Sequence, residues 1–274
     1  MNLNLKIRKL QNIGANSILA LSSEGSVSII KLSQGLENCL YTKLQIEEVE
    51  DICCYGKKIF CLSKDTYYQL NTENLDSENI PILRLTCEGI TAVSHINAYK
   101  QDLYAISQSG IMLRWDFSRG RNGFIHFDST PTEIKHDPQG GLIAIGHQCG
   151  TVSILEDQEL ASIGKIIIGE SAIKDIEWIS QGEFATSLKF ENKIHWYHPD
   201  NNGDIYFKSP ITAMKKNPTS NTIAFAGYKF IEIWDTNRRE KISEIETDDF
   251  VVSIDWIGDN QIVAALNSGD LIIC

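Results

Sequence analysis

A three-residue pattern recurs along the chain at intervals of 41, 41, 42, 38 and 40 residues, and it constrains the fold more than any other feature. Its copies are Ile52-Cys53-Cys54, Val93-Ser94-His95, Ile134-Lys135-His136, Ile176-Glu177-Trp178, Met214-Lys215-Lys216 and Ile254-Asp255-Trp256. A period near 40 residues is that of stacked β-sheet units, each too small to bury its own apolar face. After each copy come a turn and a short hydrophobic run, as in Leu103-Tyr104-Ala105-Ile106, Leu142-Ile143-Ala144-Ile145 and Ile262-Val263-Ala264-Ala265. A tight turn, often with Gly (Gly110, Gly150, Gly269), then leads to an alternating segment such as Ile231-Glu232-Ile233-Trp234-Asp235. Alternation of β-branched and aromatic residues between turn signals is the mark of strands.

The first 45 residues fit the same template less cleanly, which brings the count to seven. Helical periodicity is missing over any long window, so an α/β fold has nothing to supply its crossover helices. The expectation is an all-β, seven-bladed β-propeller over residues 1–274 as a single domain. Its first strands are expected near residues 5–10, 50–55, 91–96, 132–136, 174–179, 211–215 and 251–257. The seventh unit has three strands, at Val251–Ile257, Gln261–Leu266 and Asp270–Cys274, and the sequence then stops. Its last blade is therefore expected to lack an outer strand, leaving Asp270, Leu271, Ile272, Ile273 and Cys274 as an open edge for strand addition by a partner. Two competing readings are that Asn2–Lys9 supplies the outer strand, with a reduced first blade, and that the sequence is a piece of a longer chain.

Trp115-Asp116 and Trp234-Asp235 each end a third strand, with Leu155-Glu156 and Trp196-Tyr197 in the same place in degenerate form. In this the chain resembles the WD-repeat family, although the Gly-His dipeptide that the family carries before its first strands is absent. The resemblance implies a rigid, non-catalytic scaffold that holds other proteins in a multi-subunit complex. It also implies a partner face built from the loop before each first strand and the turn between second and third strands. By blade position that face takes in Glu24, Lys64, Asp65, Gln108, His147, Gln148, Lys189, Phe190, Tyr228 and Lys229, with Phe190 and Tyr228 as the aromatic anchors. The five tryptophans recur at matching positions and are expected to pack sheet against sheet.

A narrower resemblance runs from Ile90-Thr91-Ala92-Val93 to Trp115-Asp116-Phe117 and on through Thr132 to Leu155. This stretch is similar to the middle blades of a small WD-repeat nucleoporin of the nuclear pore Y-complex, which implies a structural role at the nuclear pore, in the nucleus. The alternative is an adaptor subunit elsewhere, cytoplasmic or nuclear: a ubiquitin-ligase substrate receptor, or a member of a trafficking or chromatin complex.

Other functions lack support in the residues. A formal net charge of −11 opposes binding to a phosphate backbone, and the basic patches at Arg119-Gly-Arg121, Lys215-Lys216 and Arg238-Arg239 are short. Apolar runs such as Lys165-Ile166-Ile167-Ile168 fall far short of the roughly 20 residues of a membrane helix. The N-terminus has no secretion-signal pattern. Seven scattered cysteines without a Cys-x-x-Cys pair read as reduced, packed thiols. No nucleophile elbow, phosphate loop, dinucleotide fingerprint or zinc-protease motif occurs, so neither an enzyme nor a cofactor is expected. His195 with His198 and His147 with Cys149 are the metal-like pairs, and neither has an evident third ligand. The acidic groups Glu47–Asp51 and Glu246–Asp249 are expected to be solvated connecting loops.

Overall fold

The structure, a computed structural model, describes residues 6–14, 16–33, 35–64, 66–74, 83–85, 92–100, 102–116 and 121–274. Regular structure among them is antiparallel β-strand, apart from one 3-10 turn at Thr72–Asn74. Contacts group the chain into two compact units, one of residues 1–63, 69–83 and 211–274, the other of residues 64–68 and 84–210.

The second unit contains three four-stranded sheets in up-and-down order. They are Val93–Tyr99, Asp102–Ser107, Ile111–Asp116 and Arg121–His126; Pro131–His136, Leu142–His147, Thr151–Glu156 and Ser162–Ile167; and Ile173–Ser180, Glu183–Leu188, Lys193–Tyr197 and Gly203–Tyr206. Position in the sheet explains composition. In the middle sheet, the second and third strands are buried along nearly their whole length and read as continuous apolar runs, whereas the fourth, Ser162–Ile167, is largely exposed. A strand buried on both faces has no polar side to alternate with.

Neighbouring sheets bury these faces against each other. Ala144, Val152 and Ile154 pack on Ile173, Ile176, Trp178, Phe184 and Leu188, while Tyr104, Ile106 and Met112 pack on Ile134, Ile143 and Ile145. Polar ties fix the register: Trp178 Nε1 donates to Lys135 O at 3.1 Å, and Thr132 Oγ1 to Ile173 O at 2.8 Å. The ammonium of Lys135 lies 3.4 Å from Asp175 and 3.0 Å from Glu177. Burial opposes its charge, but these carboxylates and Glu133 prevail and hold the lysine protonated well above its ordinary range.

His136 occupies a different environment in the same unit. Its ring stacks on Tyr99 at 5.0 Å, and Nδ1 faces Asn97 Oδ1 at 3.1 Å. The Asn97 amide donates to Ile134 O, which turns its oxygen toward the imidazole, so Nδ1 carries the proton. Burial first, then Arg114 and Lys100, pushes the imidazole down to about 3. The folded state therefore holds His136 neutral while the unfolded state protonates it near its ordinary value of about 6.5. This contribution is fully present above that value and is lost as pH falls toward about 3, roughly 1.4 kcal/mol per pH unit. His136→Gln is expected to flatten the acid limb of a chemical-denaturation series between about pH 6 and pH 4; an unchanged slope would show that His136 does not carry it.

The first unit repeats the arrangement with Ile7–Gly14, Ser17–Ser22, Val27–Ser33 and Gly35–Lys43 as one sheet. Val49–Tyr55 and Lys58–Ser63 pair in a second sheet. Leu10 N donates to Ser253 Oγ at 3.0 Å, and Asn12 Nδ2 to Trp256 O at 2.7 Å. Lys9 pairs with the buried Asp51 at 2.6 Å. Trp256 Nε1 donates to Lys215 O at 2.9 Å, the counterpart of the Trp178 tie. Trp178, Trp196 and Trp256 are buried, as their recurrence predicts, whereas Trp115 and Trp234 are only half-buried.

The blade count requires correction. Among the described residues there are six sheets rather than seven, because the last two sequence repeats form one five-stranded sheet of Ala213–Lys216, Thr222–Asp235, Glu240–Ile257, Gln261–Leu266 and Leu271–Ile273. Glu240–Ile257 is one strand of 18 residues, whose first half pairs with Thr222–Asp235 and whose second half pairs with Gln261–Leu266. It contains neither Gly nor Pro, so nothing breaks it where the repeat period would place a blade boundary. Glu246–Asp249, expected as a connecting loop, lies inside it.

Leu271–Ile273 ends the order of this sheet among the described residues, with Ile262 and Cys274 exchanging backbone hydrogen bonds of 2.7 and 2.9 Å. Ile7–Gly14 pairs with Ser17–Ser22, so the first sheet is not reduced to supply an outer strand. Residues 1–5 lie outside the described residues, as do Asp65, Ile90, Thr91, Phe117 and Arg119 among the positions named above.

Gly150 shows how closely the turn after Leu142–His147 approaches the segment that leads into the next sheet. It has φ +76, and a Cβ there would meet Gly169 O at 2.2 Å and Ser171 O at 2.8 Å. Gly150→Ala is expected to lower stability by about 2–4 kcal/mol, combining left-handed strain with a clash against backbone. Urea denaturation of the full chain measures it; a loss under about 0.5 kcal/mol, the ordinary surface value, contradicts the packing described.

Candidate functional site

The turns after the second strands and the segments entering the first strands of the second unit enclose a concavity of about 790 Å³. Two of these turns close alike: Gly110 N donates to Ser107 O and Gly150 N to His147 O, both at 3.2 Å, with the glycines at φ +82 and +76. Placing the left-handed residue on glycine avoids a Cβ penalty.

The third turn is built differently. Glu191 N reaches Leu188 O at 3.4 Å, and the left-handed residue, φ +67, is Phe190. Its position in this four-residue turn is the one type II turns give to Gly or Asn. A bulky residue there is a steric outlier costing about 1–2 kcal/mol. Packing does not offset the cost, because the Phe190 side chain is 91% exposed.

Lys189 precedes Phe190 and is exposed; Gln108 and Gln148 are exposed in the neighbouring turns. Lys174, at the head of a first strand, completes a cationic wall. Burial disfavours its charge first; Asp175 supports the charge and Lys189 opposes it, and the balance holds the ammonium below its ordinary value. Sequence position alone pointed to Gln108, Gln148, Lys189 and Phe190. It missed Lys174, because blade position assigns the turn between strands but does not say which first-strand residue reaches the mouth.

His147 is corrected from a surface contact to a buried brace, 2% exposed. Its Nδ1 lies 3.2 Å from Ser129 O and its Nε2 2.8 Å from Ser153 Oγ. A carbonyl can only accept, so Nδ1 carries the proton and Nε2 accepts from the serine. Burial, despite support from Ser129, shifts its protonation downward. The signal was in the sequence, since His147 continues the run Leu142-Ile143-Ala144-Ile145-Gly146 as its sixth strand residue.

Tyr228 and Lys229 belong to the first unit. Tyr228 is 55% exposed, cross-strand from Phe250, and the Lys229 ammonium sits 5.6 Å from its ring centroid. That cation–π contact covers part of the ring. The first unit also has a concavity, but Glu24, Lys43, Glu47 and Glu48 give it a mainly acidic lining.

The metal-like pairs separate. His195 Nδ1 meets Asp204 Oδ1 at 2.6 Å, whereas His198 Nδ1 accepts from Asp200 N. No group of three metal-ligating side chains occurs among the described residues. In the expected edge segment, Leu271 is buried, Asp270 accepts from Ser268 Oγ at 2.9 Å, and burial shifts the Cys274 thiol upward.

No family model matches the chain, and no curated protein matches it. Among solved structures, the WD40 β-propeller domain of Doa1 superimposes with a TM-score of 0.78, covering 98% of this chain and 93% of that one at 13% identity. The fold is that of a WD40 β-propeller. The nucleoporin resemblance finds no support in these comparisons. In this propeller, Phe190 stands where a turn favours glycine, so Phe190→Gly is expected to leave stability unchanged or raise it by up to about 1 kcal/mol. That corresponds to a gain of roughly 2–4 °C in Tm for a chain of this size. A fall in Tm would show that the ring is a packing element.

Proposed function

We propose that the chain is a non-catalytic protein-interaction scaffold that docks partners on the face carrying Gln108, Gln148, Lys189 and Phe190. Phe190 is the observation that carries this reading: a strained backbone and an exposed ring together destabilise the free protein, and burial in a partner offsets both. The WD40-type fold supports it, because such a scaffold presents turns from several sheets on fixed strands. Tyr228 with Phe250 is a second contact surface, on the first unit.

The narrower reading, a structural nucleoporin at the nuclear pore, rests on the sequence resemblance alone. An adaptor subunit of another complex is the alternative. Affinity purification of the tagged full chain from cell extract separates them: co-purifying Y-complex nucleoporins support the first, and ligase, coat or chromatin subunits the second. In the same experiment, Phe190→Ala is expected to weaken partner recovery by about 2 kcal/mol, or some 30-fold, with stability changed by about 0.5 kcal/mol or less. Tyr228→Ala tests the second surface in the same way. Full partner recovery by both variants would overturn the assignment of these surfaces.

A further inference from the structure

Tyr228 and Phe250 are exposed aromatic residues, 55% and 37%, paired across the strands Thr222–Asp235 and Glu240–Ile257. Residues so paired leave the sheet on one side, with Cα atoms about 4.5–5.5 Å apart. The next pair is Phe230 with Glu246, so Lys229 alone stands opposite Thr247, Asp248 and Asp249. That bulge is closed by its own hydrogen bonds. Thr247 Oγ1 donates to Asp249 O at 2.9 Å, and Phe250 N to Asp249 Oδ1 at 2.7 Å. Asn267 N donates to Phe250 O at 2.8 Å, so the Phe250 backbone is held from both sides.

The charges of this bulge favour a cation. Glu246 and Asp248 are exposed, and neither carboxylate makes a hydrogen bond or ion pair with a described residue. Asn267 and Ser268, exposed beyond Phe250, are uncharged. Lys229 is the exception, and its place is informative: its ammonium lies 5.6 Å from the Tyr228 ring centroid, within the range of a cation–π contact. The ring already holds a cation supplied by its own chain. An ammonium is a strongly hydrated point charge, whereas a guanidinium is planar, weakly hydrated and able to stack on a ring while its N–H groups meet a carboxylate.

We infer that the Tyr228–Phe250 surface receives an arginine-containing basic segment of a partner protein, whose guanidinium displaces the Lys229 ammonium from the Tyr228 ring and pairs with Glu246 or Asp248. Phe250 supplies the adjoining apolar contact. The inference rests on the second contact surface proposed above and adds the chemistry of what docks there. A net charge of −11 draws a cationic segment in from a distance and repels an acidic peptide or a nucleic acid.

The test passes a random dodecapeptide library over the immobilised full chain and over its Tyr228→Ala variant. Peptides kept by the first and lost on the second are those that this surface binds. They are expected to carry Arg beside an apolar residue, and their binding should weaken several-fold as salt rises from about 0.15 to 0.5 M. Glu246→Gln and Asp248→Asn together are expected to weaken them about 2- to 5-fold, and Tyr228→Leu, which keeps an apolar side chain but no ring, by a similar factor of about 2 to 5. Lys229→Gln is expected to tighten them about 2- to 5-fold, because it frees the ring and removes a like charge. Tyr228-dependent peptides that are acidic or uncharged, no Tyr228-dependent peptide at all, affinity unmoved by the paired carboxylate substitutions, or weaker binding by Lys229→Gln would each overturn the inference. Partner recovery from cell extract separates it from the contact surface itself. Partners lost on Tyr228→Ala but kept on Glu246→Lys with Asp248→Lys would sink the arginine inference and leave the surface standing, whereas partners kept on both Tyr228→Ala and Phe250→Ala would sink the surface.

Discussion

Burial of one sheet's apolar faces against the next is the interaction on which everything else in this protein depends. A lone four-stranded sheet with middle strands such as Leu142–His147 and Thr151–Glu156 would leave two apolar faces in water. Packing Ala144, Val152 and Ile154 on Ile173, Trp178 and Leu188 removes one of them. The polar ties between sheets span about one repeat in sequence: Trp178 to Lys135 and Thr132 to Ile173. Each is a modest hydrogen bond, about 1 kcal/mol net, but it fixes how far one sheet slides past another. The repeat period in the sequence is the distance along the chain between two such partners.

The same packing decides where charge can be buried. Lys135 with Asp175 and Glu177, and Lys9 with Asp51, tie a first strand to its neighbour through partly buried ion pairs. Replacing such pairs with apolar residues often costs nothing, whereas removing one partner strands the other. Their value here is positional, since each sets the lateral register of two first strands. His136 takes the opposite course: burial, Arg114 and Lys100 prevail over the Asp157 carboxylate 3.9 Å from its Nε2, and it stays neutral. Two titratable groups adjacent in sequence thus end with opposite protonation biases because their side chains leave opposite faces of one strand.

Rigid sheets also make room for local strain. Gly110 and Gly150 let two turns adopt left-handed geometry without cost, whereas Phe190 adopts it against its own sterics. Two well-packed strands, Glu183–Leu188 and Lys193–Tyr197, hold the ends of that turn in place. A backbone so held fixes where the side chain leaves the turn, which reduces the ordering cost of binding.

Read as a string, the sequence determined the all-β class, the spacing of the first strands, the burial of three of the five tryptophans and the turns that carry Gln108, Gln148, Lys189 and Phe190. Those features follow from local alternation, turn chemistry and a repeat length, all of which act over short stretches of chain. Tertiary structure decided the rest. It merged the last two repeats into one sheet, because Glu240–Ile257 lacks a residue that would interrupt pairing where the period predicts a boundary. It buried His147 as a brace between Ser129 and Ser153, although its place beside a turn reads as surface. It also brought Lys174 to the wall that holds Lys189, fifteen positions away in sequence. Periodicity records which residues face a core, but the pairing of strands across a sheet and the meeting of side chains from different strands depend on contacts distant in sequence, which no local pattern encodes.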